Sequence, residues 1–203
     1  MKIAIISGSN RADSGSRKVA DYCYHYLTHE QGNEAQLLDM HELDLPMWSE
    51  DLWNSDSPQA QNWAEHKSVL AECDAYVVVA AEWNGTIPPS LQNIIMHLDR
   101  GTVGHKPALL VGVSAGRGGA YPIAQLKSSI NKNNRLVLIP DYVIVRGVGD
   151  VFDDVALDES REDDYYIKSR SNASLDELEL YAKHLGQLRA ELVFDYSRFT
   201  HGM

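Results

Sequence analysis

Residues 2–20 read KIAIISGSNRADSGSRKVA, and this stretch decides the expected fold. Ile3 to Ile6 form a short continuous apolar run, which is typical of a strand buried on both faces in a parallel sheet. The chain then stays polar as far as Ser16, and helical spacing resumes at Val19. A strand that leads through a polar loop into a helix predicts a βα unit, with Ser14 or Ser16 as the N-cap.

The polar loop from Ser7 to Ser16, the first loop, has the composition of a phosphate cradle. The start of the following helix offers free N–H groups and the positive end of the helix dipole, and the loop hydroxyls donate hydrogen bonds. Arg11 adds a guanidinium that can bind two phosphate oxygens at once. The alternative is an ordinary polar turn, and the rest of the chain has to decide between the two.

Apolar strand patterns and helical patterns alternate along the chain. Further strands are predicted at residues 35–39, 75–80, 107–113 and 136–145. Helices are predicted at residues 16–29, at 58–72 behind Ser57 as N-cap, after Pro89, at 119–132, and around Leu175, Leu178, Leu185 and Leu188. Strands separated by helices indicate βαβ units with right-handed crossovers. We therefore expect an α/β fold, a doubly wound five-stranded parallel sheet with helices on both faces.

Ligands of such sheets bind outside the carboxyl ends of the strands, where the strand order reverses. Besides the first loop, two loops leave carboxyl ends in the middle of the chain. The second loop, Ala81 to Pro89, contains Trp83, whose flat face can stack on a ring, beside the turn pair Asn84-Gly85. The third loop, Ser114 to Gly119, has little side-chain bulk and lets the backbone approach a planar ligand. This convergence favours the phosphate cradle.

The third loop also allows a different function. Gly112 to Gly116 match the Gly-x-Ser-x-Gly nucleophile elbow of serine hydrolases, with Ser114 as the nucleophile. Triad partners follow in the right order, namely Asp141 or Asp150 and then His184 or His201. No His-Gly-Gly-Gly oxyanion loop is visible, and a hydrolase leaves the first loop unexplained.

Together the three loops resemble the NAD(P)H-dependent FMN reductase family, which includes quinone, chromate and azo-dye reductases. The matching motifs are Gly8-Ser9-x-Arg11-x-x-Ser14-x-Ser16-Arg17, Glu82 to Pro88 with Leu91 and Asn93, and Ser114-x-Gly116-x-x-Gly119, within about Met1 to Asp154. The resemblance implies a flavodoxin-like fold and an enzyme that passes electrons from NADPH or NADH through FMN to a quinone-like or other small acceptor, or reduces FMN itself. A flavodoxin-like electron carrier shares the same fold and cradle.

The resemblance also assigns residues to FMN. The residues expected to bind the phosphate are Ser9, Asn10, Arg11, Ser14, Ser16 and Arg17. The residues expected to flank the isoalloxazine ring are Glu82, Trp83, Asn84, Gly85 and Thr86, and those expected to contact its pyrimidine edge are Ser114, Ala115, Gly116 and Gly119. The flavin carries the reaction, so no catalytic side chain and no metal site is predicted. Two positions depart from the family pattern: Ala81-Glu82-Trp83 replaces Pro-Glu-Tyr, and Ser16 replaces Asn.

Length and net charge limit the number of domains and the classes of partner that we expect. A chain of 203 residues fits one domain, 1–203, and its net charge of −11 argues against nucleic acid and membrane surfaces as partners. Cys23 and Cys73 are predicted to be buried, reduced thiols, which suits the cytoplasm. The acidic segment, residues 150–164, is predicted to be a solvated surface. The C-terminal extension, residues 190–203, carries aromatic side chains, and the family resemblance implies a homodimer or homotetramer.

Overall fold

The computed structural model describes residues 1–192, and the tail aromatics at 194, 196 and 199 lie outside this range. Five parallel strands form one sheet in the order β2-β1-β3-β4-β5. The strands are β1 (Lys2–Ser7), β2 (Glu34–Asp39), β3 (Ala75–Ala81), β4 (Pro107–Val113) and β5 (Val137–Val145). The predicted doubly wound sheet is confirmed, and its strand order reverses between β1 and β3.

Within residues 1–192, six α-helices cover the two faces of the sheet. They are α1 (Gly15–His25), α2 (Pro58–Glu72), α3 (Pro89–His97), α4 (Arg100–Val103), α5 (Ala120–Ser129) and α6 (Glu162–Glu191). Alternate strand residues separate two buried apolar clusters, because successive side chains point to opposite faces. Ile3 and Ile5 pack with α1 and α6, whereas Ala4 and Ile6 pack with α2, α3 and α5.

The element boundaries agree with the sequence patterns to within a few residues, with three differences. Helix α6 begins at Glu162, well before Leu175, the first leucine of the predicted pattern. The first helix changes at Tyr26–Glu30 into a π-helical turn, and Gly32 follows with φ of +68°. The short helix α4 was not predicted, because four residues are too few for a periodic pattern. Asp99 begins it by accepting a hydrogen bond from the Thr102 N–H at 2.8 Å.

The acidic segment is only partly the solvated surface that its composition predicts. Asp164 is 3% exposed, and its carboxylate accepts hydrogen bonds from the Phe152 N–H at 2.6 Å and from Lys168 Nζ at 2.7 Å. Lys168 is fully buried and also contacts Asp154 at 3.0 Å. The prediction was wrong for Asp164 because its buried cation, Lys168, lies outside the segment, one helical turn further along α6, in addition to Arg161 within the segment at 3.3 Å. Asp154 and Asp158 are exposed, as expected.

Candidate functional site

The first loop is closed and partly buried around its serines. Ser9 and Ser16 are each 1% exposed, and Ser9 Oγ accepts a hydrogen bond from the Arg11 N–H at 3.3 Å. Ser14 is the N-cap of α1, because its Oγ accepts from the Arg17 N–H at 3.1 Å. Ser14 Oγ also lies 3.2 Å from Ser16 Oγ. The capping prediction is therefore confirmed for Ser14.

Two glycines let this loop pack closely against its neighbours. A Cβ on Gly8 would lie 2.8 Å from Leu91 Cδ2 and 2.9 Å from the Val79 carbonyl oxygen. A Cβ on Gly15 would lie 2.4 Å from Val148 Cγ1, which is closer than real contacts allow. The start of α1 therefore packs directly against Val148, and neither Gly8 nor Gly15 can be replaced by a residue with a side chain without moving its neighbours.

The two arginines of this region have different surroundings. Arg17 binds three carboxylates, Asp21 at 2.8 Å, Asp39 at 2.7 Å and Glu42 at 2.9 Å. Hydrogen bonds to Asp21 and Asp39 raise the pKa of Arg17 above its ordinary value. Arg11 is exposed, and the ion pairs found among residues 1–192 do not include it. Of the two arginines predicted to bind the phosphate, Arg11 is thus the one whose guanidinium is not engaged by carboxylates.

The second loop contains a tight turn that presents Trp83. The backbone of Trp83 and Thr86 exchanges two hydrogen bonds of 2.9 and 3.0 Å, and Asn84 and Gly85 between them have φ of +51° and +76°. Two successive positive φ angles are the geometry that favours an Asn-Gly pair. Gln125 of α5 holds the turn from outside by accepting a hydrogen bond from Thr86 Oγ1 at 2.7 Å. Trp83 itself is half-buried.

The third loop is held by the loops on either side. Ser114 Oγ accepts a hydrogen bond from the Gly116 N–H at 3.2 Å, and the Gly116 carbonyl accepts from the Gly147 N–H at 2.9 Å. On the other side, the Glu82 N–H donates to the Val113 carbonyl at 2.8 Å, and the Glu82 carboxylate accepts a short hydrogen bond from the Gly119 N–H. The conformation of this loop is therefore set by both of its neighbours.

All three loops meet at one cavity beside the strand-order reversal, with a volume of about 90 Å³. It is lined by Ser9, Arg11, Ser14, Gly15, Ser16, Ala81, Glu82, Trp83, Val113, Ala115 and Val148. The other predicted site residues belong to the same loops, or in the case of Arg17 to the first turn of α1, without lining this cavity: Asn10, Arg17, Asn84, Gly85, Thr86, Ser114, Gly116 and Gly119. The sequence analysis did not predict Val148 as a site residue. Val148 belongs to a fourth loop, which follows β5 and reaches this edge of the sheet because β5 lies beside β4.

A larger groove, of about 670 Å³, runs along the outside of the first loop. Its floor contains Tyr22 and Phe152, whose rings meet edge to face at 4.9 Å. Burial raises the pKa of Tyr22 to about 12. Lys18 also lines the groove, where it forms an ion pair with Asp153 and donates a hydrogen bond to the Val148 carbonyl at 2.9 Å. The groove and the small cavity share Arg11, Ser14, Gly15, Ala115 and Val148.

The serine hydrolase alternative is not supported. Asp141, one of the two proposed acids, is bound by Arg170 and by Ser174 Oγ, the latter at 2.8 Å. Ser114 Oγ is occupied by a neighbouring backbone N–H. His201 lies outside the described residues. A serine nucleophile needs a hydrogen-bonded base that is itself oriented by an acid, and the contacts of Ser114 and Asp141 do not form that chain.

Residues 1–192 contain neither a group of three or more His, Cys, Asp or Glu side chains that could hold a metal ion nor a helix with the length and apolar character of a membrane span. Cys23 and Cys73 are both buried free thiols, as predicted. His97 is buried, with Nδ1 2.8 Å from the Asn93 carbonyl, and it packs against the ring of Trp63.

Solved structures share this fold across most of the chain. The flavoenzyme NAD(P)H:(acceptor) oxidoreductase FerB from Paracoccus denitrificans superimposes with a TM-score of 0.63 and 22% identity, over 92% of this chain and 97% of that one. An oxidoreductase from Corynebacterium diphtheriae gives a TM-score of 0.61 and 16% identity, over 95% and 98% of the two chains. At these identities the likeness establishes the flavodoxin-like fold alone.

Sequence comparison is more specific. A 2-hydroxy-1,4-benzoquinone reductase from Burkholderia sp. is 28% identical over 57% of this chain, and a quinone reductase from Pseudomonas putida is 28% identical over 59%. The matched regions span 62% and 63% of those relatives, less than two thirds of each. The model of the NADPH-dependent FMN reductase family matches residues 1–150, close to the range in which the loop motifs were recognised. The chain therefore belongs to the NADPH-dependent FMN reductase family.

Proposed function

We propose that this protein binds FMN and acts as an NAD(P)H-dependent oxidoreductase, passing electrons from NADPH or NADH to a quinone-like or other small acceptor, or reducing FMN itself. The observation that carries the proposal is the meeting of all three loops at one cavity beside the strand-order reversal. Doubly wound sheets bind their ligands at this position. The family match and the quinone reductase relatives support the same activity.

The residues present fit a phosphate monoester at the first loop. The first backbone N–H groups of α1 have no acceptor within the helix. Ser14 Oγ accepts one of them, the Arg17 N–H. The hydroxyl of Ser16 lies at this helix start, and the guanidinium of Arg11 is close by and exposed. Helix α1 adds the positive end of its dipole. An anion is therefore favoured at this loop.

A buried hydroxyl gives a second sign of fit. Ser7 ends β1 directly before the first loop and is fully buried, and its Oγ has no hydrogen-bond partner among the described residues. Buried polar atoms are ordinarily paired, so an unpartnered hydroxyl directly before the first loop suits a site for a polar group. The close packing of Gly8 on Leu91 and of Gly15 on Val148 holds the loop backbone, and with it the N–H groups of the loop, in place.

We assign the predicted contacts as follows. The phosphate is held by the first loop through Ser9, Asn10, Arg11, Ser14 and Ser16, with Arg17 bracing the start of α1. The second loop, Glu82 to Thr86, flanks the isoalloxazine ring, and the third loop contacts its pyrimidine edge through Ser114 to Gly119. When bound, FMN supplies the redox chemistry, taking a hydride from the nicotinamide and giving electrons to the acceptor.

The residues of the chain bind and orient the ligand. The Asn84-Gly85 turn, fixed by Gln125, orients Trp83, and the third loop offers backbone N–H groups to a planar ligand. We further propose a cytoplasmic homodimer or homotetramer that does not bind nucleic acid. Two buried free thiols and the net charge of −11 support that environment and that choice of partner.

The test is steady-state NADPH oxidation by purified protein with added FMN and a benzoquinone. We expect oxidation that depends on FMN, with the quinone or FMN itself as the electron acceptor, whereas a non-catalytic electron carrier would show no turnover. Ser114→Ala should stay within about tenfold of wild type, the worth of one neutral hydrogen bond. Wild type should also resist a fluorophosphonate. Stoichiometric labelling of Ser114 together with no NADPH oxidation would overturn the proposal.

A further inference from the structure

Glu82 is the one carboxylate on the wall of the small cavity, and it joins two of the three loops. Its backbone N–H donates to the Val113 carbonyl at 2.8 Å, and its carboxylate accepts the Gly119 N–H. The first bond fixes the start of the third loop and the second fixes its end. A single residue of the second loop therefore spans the third loop from end to end.

The third loop is built around this carboxylate. A Cβ on Gly118 would lie 2.7 and 2.8 Å from the two carboxylate oxygens of Glu82, so only glycine fits there without displacing them. Gly119 has φ of +96°, a left-handed conformation that favours glycine, and its N–H donates to the Glu82 carboxylate. Both glycines of the Gly118-Gly119 pair thus lie against the same side chain.

The charge of Glu82 lies at the cavity without a direct counter-ion. The ion pairs found among residues 1–192 do not include Glu82, and its carboxylate is bound by a neutral backbone N–H. Arg11 lines the same cavity, and Arg146 Nε donates to the carbonyls of Arg117 and Gly118 in the third loop at 2.8 and 3.1 Å. Arg146 is therefore directed at the loop backbone and not at the carboxylate.

We propose that Glu82 is a positioning residue that holds the third loop in place and biases the bound flavin against gaining negative charge. This inference rests on the proposed function. Transfer of a hydride to the flavin adds two electrons and one proton, a net charge of −1, and a fixed negative charge at the cavity wall disfavours this reduced form relative to the oxidised form. Glu82 also occupies the Gly119 N–H, a donor that would otherwise stabilise that charge. Both effects make the reduced cofactor a stronger electron donor.

Two variants separate the hydrogen bond from the charge. Glu82→Gln keeps a carbonyl oxygen that can accept the Gly119 N–H and removes the charge, whereas Glu82→Ala removes both. Glu65→Gln, at an exposed position on α2, is the matched control for an equal change of net charge. The readouts are amide hydrogen exchange at Gly119 in the ligand-free protein and the midpoint potential of bound FMN.

We expect exchange at Gly119 to accelerate at least tenfold in Glu82→Ala and to stay within about threefold of wild type in Glu82→Gln. Both variants should bind reduced FMN, relative to oxidised FMN, about tenfold more tightly than wild type does, which raises the two-electron potential by about 30 mV. Glu65→Gln should change neither quantity. Circular dichroism confirms that each variant is folded before it is compared.

The outcomes are distinguishable. If wild type binds FMN and Glu82→Gln changes the ratio of the two affinities by less than twofold, the electrostatic role is contradicted. If Gly119 exchanges equally fast in wild type and in folded Glu82→Ala, the loop-positioning role is contradicted. Failure of wild type to bind FMN would instead contradict the proposed function, and the exchange measurement in the ligand-free protein would still decide the positioning role.

Discussion

The first loop and the acidic segment are both rich in polar residues, and the structure uses these residues in opposite ways. In the acidic segment carboxylates are paired with cations, as in the contact of Asp154 with Arg161 at 2.6 Å and the buried contact of Asp164 with Lys168 of α6 at 2.7 Å. In the first loop Arg11 is exposed, and Ser7 Oγ, at the start of the loop, is buried without a partner among residues 1–192. Polar groups that are paired internally stabilise the fold, whereas groups held in place without a partner are suited to a ligand.

The largest expected effect is on the acidic segment. Lys168→Met should lower the free energy of unfolding by about 3–5 kcal/mol, because it leaves the buried Asp164 charge without its main partner. Urea denaturation measures this loss, and Lys183→Met, at an exposed position on the same helix, should stay within about 0.5 kcal/mol of wild type. A loss below about 1 kcal/mol for Lys168→Met would show that the segment does not depend on this pair.

The second effect concerns the first loop and appears in binding. Arg11→Ala removes a charge-assisted contact to phosphate, so FMN affinity should fall about ten- to a hundredfold, or about 1.5–3 kcal/mol. Stability should change by less than about 0.5 kcal/mol, because the side chain is exposed. Fluorescence-quenching titration provides the affinity. Unchanged affinity in folded protein would remove Arg11 from the site.

Arg17→Ala sharpens the comparison, since Arg17 lies beside the first loop and yet is paired in the manner of the acidic segment. Its loss leaves the buried Asp39 without its cation, and we expect about 1–2 kcal/mol of destabilisation in urea, reduced by the partial exposure of the pair. FMN affinity should change by less than about threefold. A tenfold loss of FMN affinity with unchanged stability would reassign Arg17 to phosphate binding.

The smallest effect is at the helix cap. Ser14→Ala removes the side-chain acceptor of the Arg17 N–H and should cost about 1 kcal/mol of stability. Ser14→Asp is the paired variant, because aspartate caps equally well but places a negative charge where the phosphate is proposed to bind. It should therefore keep the stability and lose FMN affinity. Equal FMN affinity for Ser14→Asp and wild type would argue against a phosphate at this helix start.

The fold was predictable from sequence because buried parallel strands leave an unambiguous apolar pattern. Ile3 to Ile6 and Ala75 to Ala80 were both recognised, and their adjacency in the sheet fixes where the first and second loops meet. The predicted loops therefore converge, and seven of the predicted site residues line one cavity, namely Ser9, Arg11, Ser14, Ser16, Glu82, Trp83 and Ala115.

What the sequence did not show depends on contacts between distant residues. Nothing local distinguishes Arg11 from Arg17, and only the fold brings Asp39 from the end of β2 to bind the second of them. Val148 reaches the first loop because β5 lies beside β4, and no motif marks it. The burial of Asp164 depends on Lys168, which lies beyond the acidic run in sequence. Pairings of this kind require the three-dimensional arrangement.

The most direct test of the account is a comparison of FMN with riboflavin in the same fluorescence-quenching titration. The two ligands differ by the terminal phosphate alone, so the ratio of their affinities reports what the first loop contributes. We predict that FMN binds at least about tenfold more tightly than riboflavin, and that Arg11→Ala removes most of this difference. Equal affinity for FMN and riboflavin in the wild-type protein would contradict the phosphate cradle.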